Sequence, residues 1–216
     1  SKENNFYGGH GIVGAQVPIG TGIAFTHKYK GEKNICRTYI GDGAMNNGQV
    51  FEAFNLAALW KLPVLYIIEN NKYGMGTSVD RAAAGLDLYK RGEAFGIPGE
   101  KVDGMNVFSV IEAADKAGKY VRDGNGPYII EVQTYRYRGH SMSDPAKYRT
   151  KEELDNYKET DPIEIVKAEM LKKKIATSNE IEKINKDTLE EIKNAAEFAS
   201  NSPFPKGSEL YTDVYL

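Results

Sequence analysis

Along most of the chain, apolar and polar residues follow two different periods, and each change of period marks a new element. A β-branched and aromatic run over residues 35–40 and an almost fully apolar run over 64–68 have the length of short buried strands. Between them, apolar residues recur at helical spacing until Pro63. The pattern predicts a strand–helix–strand unit, whose right-handed crossover places both polar turns at one edge of a parallel sheet.

The flanking segments extend this pattern in both directions. Small residues predict a helix over 13–29, and the less regular stretch 82–98 predicts a short helix. An amphipathic helix over 107–121 and a strand over 128–134 come next. Residues 1–148 are therefore predicted to form one α/β domain with a doubly wound, mostly parallel sheet. Residues 149–216, rich in Lys and Glu, are predicted to form a helical C-terminal extension, ending in the aromatic segment ELYTDVYL, a candidate subunit contact.

Composition narrows the classes of partner. The chain has 28 Lys and Arg against 30 Asp and Glu, so its net charge of −2 favours neither nucleic acid nor an acidic membrane. No apolar run approaches the ~20 residues that span a bilayer. Its single cysteine, Cys36, lies in a predicted buried strand and fits a reducing compartment. We expect a protein of the cytoplasm, without a signal peptide at its first residues.

The candidate chemistry follows the two strands of the central unit. Asp42 comes directly after the first strand, and Asn71 follows the second, with a turn through Tyr73 able to aim a backbone carbonyl the same way. Each of these residues taken alone is an ordinary turn former. Together, one carboxylate and two neutral oxygens suit Mg²⁺, which takes its other ligands from water and phosphate. The pair therefore favours a metal–diphosphate site at the carboxyl edge of the sheet.

Two further loops carry candidate residues. Gly9, Gly11 and Gly14 spell GxGxxG, but no strand precedes them, so the loop is not a dinucleotide fingerprint and instead allows close backbone approach or packing. After the strand 128–134, the loop 135–145 carries two arginines and one histidine, Arg136, Arg138 and His140. Such a loop is either a solvated basic segment or a donor of positive charge and protons to a phosphate site.

Longer motifs carry a resemblance to a known family. GDG, a helix, a strand and then NN are typical of thiamine-diphosphate enzymes. The segments GDGAMNNGQVFEAFNLAALWKLP, ENNKYGMGTSVDRAAA and QTYRYRGHSMSDP resemble alpha subunits of the decarboxylating component of pyruvate dehydrogenase, in the 2-oxo acid dehydrogenase family. The resemblance implies the thiamine-diphosphate-binding fold, with thiamine diphosphate and Mg²⁺ as cofactors. It extends over nearly the whole chain, and comparison with family length suggests that roughly the first third of the subunit is absent.

The resemblance also assigns roles to individual positions. Backbone groups at Gly11 and Val13 match contacts to the aminopyrimidine ring, and His140 matches a histidine that lines the cofactor channel. Metal ligation is implied for the side chains of Asp42 and Asn71 and for the backbone carbonyl of Tyr73. The implied cofactor-binding residues are Gly11, Val13, Asp42, Gly43, Ala44, Asn71, Tyr73 and His140.

The implied reaction is oxidative decarboxylation of pyruvate, with the acetyl group passed to the lipoyl domain of a dihydrolipoamide acyltransferase. A beta subunit is the implied partner, in an alpha2-beta2 heterotetramer, and it supplies the glutamate that activates the cofactor. A subunit specific for branched-chain 2-oxo acids or acetoin is one alternative, although GHSMS is closer to pyruvate enzymes than GHHST. A non-catalytic Mg²⁺–phosphate binding fragment is another.

Regulation and location follow from the same loop. Ser141 matches a serine that eukaryotic members of the family phosphorylate to stop the enzyme. Their second regulatory serine has no counterpart, since Ala146, Lys147 and Tyr148 stand there. This difference favours a cytoplasmic, bacterial-type subunit over one from the mitochondrial matrix.

Overall fold

Four parallel strands form the main sheet of the computed structural model, which describes residues 3–212. Along the described residues the strands are β1 (Cys36–Gly41), β2 (Val64–Asn70), β3 (Tyr73–Gly74), β4 (Thr77–Ser78), β5 (Gly99–Asp103) and β6 (Tyr128–Gln133). The order in the main sheet is β1-β2-β6-β5, and β3 and β4 form a separate antiparallel hairpin. The predicted strand–helix–strand unit and its parallel pairing are confirmed.

Helices cover both faces of this sheet. The α-helices of residues 3–122 are α1 (Gln16–Tyr29), α2 (Gly48–Leu59), α3 (Val79–Ala82) and α4 (Val107–Arg122). Side chains of β2 alternate between two apolar clusters, because successive residues of a strand point to opposite faces. Val64, Tyr66 and Ile68 join the cluster that includes residues of α1 and α2, whereas Leu65 packs in the cluster that includes Ala117 of α4. The predicted doubly wound α/β fold is confirmed.

Aromatic packing fixes α2 to the sheet. Phe54 of α2 and Tyr66 of β2 are both almost fully buried, and their ring centroids lie 4.7 Å apart. Burying one such side chain stabilises the fold by roughly 1.5–3 kcal/mol. The Tyr66 hydroxyl is paired with the Thr21 hydroxyl of α1 at 2.7 Å, so its polar atom is satisfied within the core.

The four parallel strands end at a common edge. Gly41 of β1 pairs with Glu69 of β2, and Gln133 of β6 pairs with both Asn70 of β2 and Asp103 of β5. The turns that follow these strands therefore emerge side by side. This edge positions the candidate site.

Three local predictions differ from the structure. β5 was not predicted, because Glu100, Lys101 and Asp103 interrupt any apolar period in this edge strand. The short helix expected within 82–98 is a 3₁₀ helix, Leu88–Phe95, which ends where Gly96 adopts φ +71°. α1 begins at Gln16, later than the predicted residue 13, since Gly14 has φ +85° and cannot continue a helix.

The chain divides into two compact units, Ser1–Pro162 and Ile163–Leu216. The boundary predicted at residue 148 falls earlier than this division. Helix α5 (Lys151–Lys158) lies in the first unit, because Tyr157 stacks on Tyr135 with ring centroids 4.0 Å apart. The first unit therefore contains more than the predicted sheet domain.

The second unit is helical. It contains most of α6 (Pro162–Lys172), then α7 (Ser178–Asn201) and a 3₁₀ helix, Gly207–Tyr211. α7 begins with a capping box between Thr177 and Glu180, which stabilises its first turn. Apolar side chains of α7, among them Ile184, Leu189, Ile192 and Phe198, are exposed. The last four residues of the ELYTDVYL segment lie outside the described residues. Within residues 3–212, none of the helices has the length and apolar character that crossing a bilayer requires.

Candidate cofactor and metal site

The turn after β1 buries a carboxylate. Asp42 is 3% exposed and directly precedes a 3₁₀ turn, Gly43–Asn46. Burial raises the pKa of the Asp42 carboxyl, and the Arg136 guanidinium and the backbone amides of Asn71 and Gly43 oppose that rise. A buried carboxylate is unfavourable unless positive charge or hydrogen-bond donors surround it. Asp42 therefore sits where a cation would be stabilised.

The turn after β2 presents Asn71 beside Asp42. The Asn71 side-chain oxygen accepts a hydrogen bond from the backbone amide of Tyr73 at 3.2 Å. The backbone amide of Asn71 donates to the Asp42 carboxylate and thereby opposes the rise in its pKa. Lys72, between Asn71 and Tyr73, adopts φ +75°, a left-handed conformation that residues other than glycine rarely take. The structure thus places the backbone of Asn71 beside the Asp42 carboxylate, at the edge where the sequence pairs these two residues.

The two turns touch through glycine. A Cβ atom added at Gly43 would lie 3.2 Å from the Gly74 Cα, and one added at Gly74 would lie 3.2 Å from the Gly43 Cα. This separation is shorter than ordinary van der Waals contact of a Cβ atom, so any side chain would push the turns apart. Two glycines therefore set the spacing between the segment that holds Asp42 and the segment that follows Asn71.

The backbone carbonyl of Tyr73 is bound by a cationic side chain. Arg136 donates from Nη1 to the Tyr73 carbonyl at 2.8 Å and from Nη2 to the Met75 carbonyl at 2.7 Å. A carbonyl oxygen has two lone pairs, so the guanidinium leaves one of them for a metal ion. Sequence reasoning placed Arg136 near the phosphate site but did not predict this bond.

The donor set matches Mg²⁺ better than a transition metal. It offers the Asp42 carboxylate, the Asn71 amide oxygen and the Tyr73 carbonyl, all of them hard oxygen ligands. Across residues 3–212, no group of three or more His, Cys, Asp or Glu side chains is arranged to hold a metal. A cation bound here would need further oxygens from water and phosphate, so these residues fit a Mg²⁺–diphosphate group.

The glycine loop before α1 lies against the same turn. The Val13 carbonyl accepts hydrogen bonds from the side chains of Asn47 at 3.1 Å and Gln49 at 3.3 Å, at the beginning of α2. Gly14 packs there so closely that a Cβ atom would meet the Gln49 amide nitrogen at 3.0 Å. Gly11 is exposed, whereas Ala44 is buried in the 3₁₀ turn. The loop that carries Gly11 and Val13 therefore contacts the beginning of α2, which directly follows the turn that carries Gly43 and Ala44.

The loop that carries His140 is folded around one carboxylate. Asp144 accepts hydrogen bonds from the backbone amides of His140 at 2.7 Å and Ala146 at 2.8 Å, and from the Tyr148 hydroxyl at 2.8 Å. These donors hold the pKa of Asp144 below its usual value. His140 itself is exposed, and the structure records no hydrogen bond of its imidazole. The imidazole is thus presented to solvent by a structured loop.

Arg136 and Tyr148 attach this loop to the β3–β4 hairpin. The Arg136 guanidinium donates to the Tyr148 hydroxyl at 2.8 Å, and the ring centroids of Tyr148 and Tyr73 lie 5.2 Å apart. Because Tyr73 follows the Asn71 turn, the loop and the candidate metal site share a common support. The loop that carries His140 is therefore attached to the hairpin that follows the Asn71 turn.

Glu153 of α5 is a structural residue of the site that sequence reasoning missed. Its carboxylate accepts hydrogen bonds from the hydroxyls of Tyr73 at 2.9 Å and Tyr135 at 3.0 Å. Burial and Glu153 raise the pKa of Tyr73 to about 12. Locally, Glu153 is only a first-turn residue of α5 bonded to the helix cap Thr150. No local pattern connects it with tyrosines elsewhere in the chain.

Replacing Glu153 with alanine is expected to lower the free energy of unfolding by ~1–3 kcal/mol, because two partly buried hydroxyls lose a charged acceptor. Urea unfolding of the full-length protein measures this change. Glu152→Ala is the matched control, since Glu152 lies in the same helical turn and is exposed. Equal losses for the two variants would show that only the helix terminus is affected.

Comparison with known proteins identifies the family of the chain. The family described as "Dehydrogenase E1 component" matches residues 1–208, and the chain belongs to this family. It is 59% identical over 212 residues to the pyruvate dehydrogenase E1 component subunit alpha of Rickettsia felis, covering 98% of this chain and 65% of that protein. For the same subunit of Rhizobium meliloti, identity is 58% over 217 residues, covering 100% and 62%.

More distant relatives include a mitochondrial protein. The chain is 54% identical over 214 residues to the mitochondrial pyruvate dehydrogenase E1 subunit alpha of Dictyostelium discoideum, covering 98% of this chain and 56% of that protein. It thus spans between about half and two thirds of the length of these relatives. A solved structure described as a putative thiamin diphosphate-dependent enzyme from Mycobacterium smegmatis aligns over 58% of this chain and 23% of that one, at 25% identity and a TM-score of 0.47.

Proposed function

We propose that this chain is the part of a pyruvate dehydrogenase alpha subunit that binds the diphosphate end of thiamine diphosphate through Mg²⁺. One observation carries the proposal: the buried Asp42 carboxylate lies beside Asn71 at the carboxyl edge of the sheet, between turns joined at Gly43 and Gly74. The names of the relatives support pyruvate as the substrate, since the two bacterial relatives described above are both pyruvate dehydrogenase alpha subunits. These relatives do not favour the branched-chain, acetoin or fragment-only alternatives.

In this proposal the chain holds and orients the cofactor. Asp42, Asn71 and the Tyr73 carbonyl ligate Mg²⁺, and the backbone at Gly43 and Ala44 lies beside the diphosphate. The loop through Gly11 and Val13 contacts the aminopyrimidine ring. When bound, the cofactor supplies an electron sink for decarboxylation, and the protein supplies position and charge.

The loop after β6 supplies positive charge and a proton donor. Arg136 lies close enough to Asp42 to oppose the rise in its pKa, so its guanidinium would also attract a phosphate held at the metal. His140 projects from a loop held by Asp144, and an exposed imidazole can act as a proton donor to a reacting group. We assign to His140 proton donation during acetyl transfer.

The proposed partners are a beta subunit, in an alpha2-beta2 heterotetramer, and the lipoyl domain of the acyltransferase. The proposed location is the cytoplasm of a bacterium. The deciding experiment compares pyruvate, 2-oxoisovalerate and acetoin as substrates for the full-length subunit assembled with its beta subunit. A preference for either of the last two would overturn the pyruvate assignment.

Asn71→Ala is expected to weaken Mg²⁺-dependent binding of thiamine diphosphate without abolishing it, because a neutral ligand neutralises less cationic charge than a carboxylate. Calorimetric titration of the full-length assembly measures the affinity. Asn34→Ala is a suitable control, since Asn34 lies before β1 at the opposite end of the strand. Unchanged affinity in Asn71→Ala would remove Asn71 from the ligand set.

A further inference from the structure

Glu131 places a carboxylate inside the central sheet. It lies in β6 between two other strands, it is 0% exposed, and its neighbours Ile129 and Ile130 are apolar and buried. A carboxylate in such surroundings is strongly unfavourable unless donors satisfy its oxygens. The cofactor site described above does not use it, so its partners must explain its presence.

Those partners come from three elements. Glu131 Oε1 accepts hydrogen bonds from the side-chain amides of Asn70 at 2.8 Å and Gln133 at 2.6 Å, and Oε2 accepts one from the backbone amide of Tyr89 at 3.0 Å. Asn70 is itself 1% exposed and ends β2. Glu131 therefore connects β6, the end of β2 and the 3₁₀ helix Leu88–Phe95.

Asn70 connects Glu131 to the turn that contains Asn71. Its side-chain oxygen accepts a hydrogen bond from the backbone amide of Lys72 at 3.2 Å. That bond holds Lys72 in its left-handed conformation, which costs free energy and persists only where the surroundings enforce it. Since Asn71 lies between Asn70 and Lys72, the direction of its side chain depends on this bond.

A second connection reaches the same turn through Lys72. The ammonium of Lys72 donates to the side-chain oxygen of Gln133, which in turn donates to Glu131. Burial lowers the pKa of Lys72, and the negative charges of Glu131, Asp80 and Asp42 oppose that change. Both the backbone and the side chain of Lys72 are thus fixed by one network centred on Glu131.

We propose that Glu131 is a positioning residue, which holds the turn of residues 70–73 in the conformation that lets Asn71 and the Tyr73 carbonyl ligate Mg²⁺. It acts through Asn70, Gln133 and Lys72 and does not itself touch the metal or the cofactor. The inference rests on the proposed function, because it concerns the same metal site. Partners that orient metal ligands typically change metal affinity 10–100-fold when removed.

Glu131→Gln tests this role with little change in volume. A glutamine has one donor group where the carboxylate has only acceptors, so at least one of the amides around it faces another donor. We expect Mg²⁺ affinity, titrated in the presence of thiamine diphosphate on the full-length assembly, to fall by about 10–100-fold. In the ligand-free protein, the backbone amide of Lys72 is expected to exchange hydrogen faster than in the wild type.

Two further variants separate positioning from general stability. Ile130→Val perturbs the same strand without touching the network, so Mg²⁺ affinity is expected to stay at the wild-type value while Tm falls. Asn70→Ala removes the bond to the Lys72 amide at the end of the strand and keeps the test available if Glu131→Gln fails to fold. Because the route through Gln133 and Lys72 remains in Asn70→Ala, the Glu131→Gln/Asn70→Ala double variant is expected to bind Mg²⁺ more weakly than Asn70→Ala, but by less than the two single losses combined.

The outcomes distinguish the inference from the proposed function. A wild-type assembly that binds thiamine diphosphate without any dependence on Mg²⁺ would overturn the proposed function. Wild-type binding that depends on Mg²⁺, together with unchanged affinity in Glu131→Gln and Asn70→Ala, would overturn only the positioning role. Equal losses of Mg²⁺ affinity in Glu131→Gln and Ile130→Val would also overturn it.

Discussion

Replacing Asp42 with alanine is expected to abolish Mg²⁺-dependent binding of thiamine diphosphate by the full-length assembly, while the fold remains intact. Asp42 is the one charged group among the three proposed ligands, and most of the attraction for the cation comes from it. Its burial leaves no bulk water nearby to replace it. The effect should therefore exceed that of any other substitution at the metal site.

The stability of the ligand-free fold is not expected to fall in Asp42→Ala. Burial raises the pKa of Asp42, so the folded protein holds a proton at this carboxyl more tightly than the unfolded chain. Stability from this group is present below the unfolded pKa and is lost as pH rises through the folded pKa. Above the folded pKa the ionised carboxylate thus destabilises the ligand-free fold, and its removal should not lower a Tm measured there.

Calorimetry and thermal unfolding of the same samples measure both effects. Asp103→Ala is the matched control, because Asp103 ends β5 at the same edge, is exposed and only accepts a bond from the Met105 amide. The control is expected to bind the cofactor like the wild type. Retained Mg²⁺-dependent affinity in Asp42→Ala would disprove the metal assignment.

His140→Ala is expected to lower acetyl transfer to the lipoyl domain by a factor on the order of 10²–10⁴, the usual range for a positioned proton donor. The loop itself should persist, because Asp144 is bonded to the backbone of His140 and to Tyr148 without using the imidazole. Tm should barely change, since the side chain is exposed and buries little area.

Steady-state rates with pyruvate and a lipoyl-domain acceptor measure this loss. Met142→Ala serves as the control, because Met142 lies in the same loop and its side chain is fully exposed. Transfer near the wild-type rate in His140→Ala would reduce the loop to a structural role. A loss of similar size in Met142→Ala would indicate that any change in the loop impairs docking of the acceptor.

Sequence patterns predicted those parts of the fold and of the site that depend on local order. The meeting of Asp42 and Asn71 follows from one parallel strand–helix–strand unit, because its handedness puts both turns at one edge. β1, β2 and β6 follow from apolar runs. β5 has no such run, since an edge strand beside solvent tolerates charged residues.

Contacts between distant segments could not be predicted in the same way. Glu131 occurs within an apolar strand and has no periodic signature, and its partner Asn70 lies in another strand. The bond between Glu153 and Tyr73 likewise joins separate parts of the chain. Only the folded structure shows which donors bind these carboxylates, since hydrogen bonds between distant segments do not affect the local spacing of apolar and polar residues.

The contact between Gly43 and Gly74 determines when the two ligand turns lose their freedom. Because the two backbones already touch, the turns cannot move independently, and their ordering entropy is lost as the chain folds rather than as a ligand arrives. A group that bridges both turns then binds to a preorganised surface and keeps more of its interaction energy as affinity. The lack of side chains at Gly43 and Gly74 therefore contributes to the affinity for such a ligand.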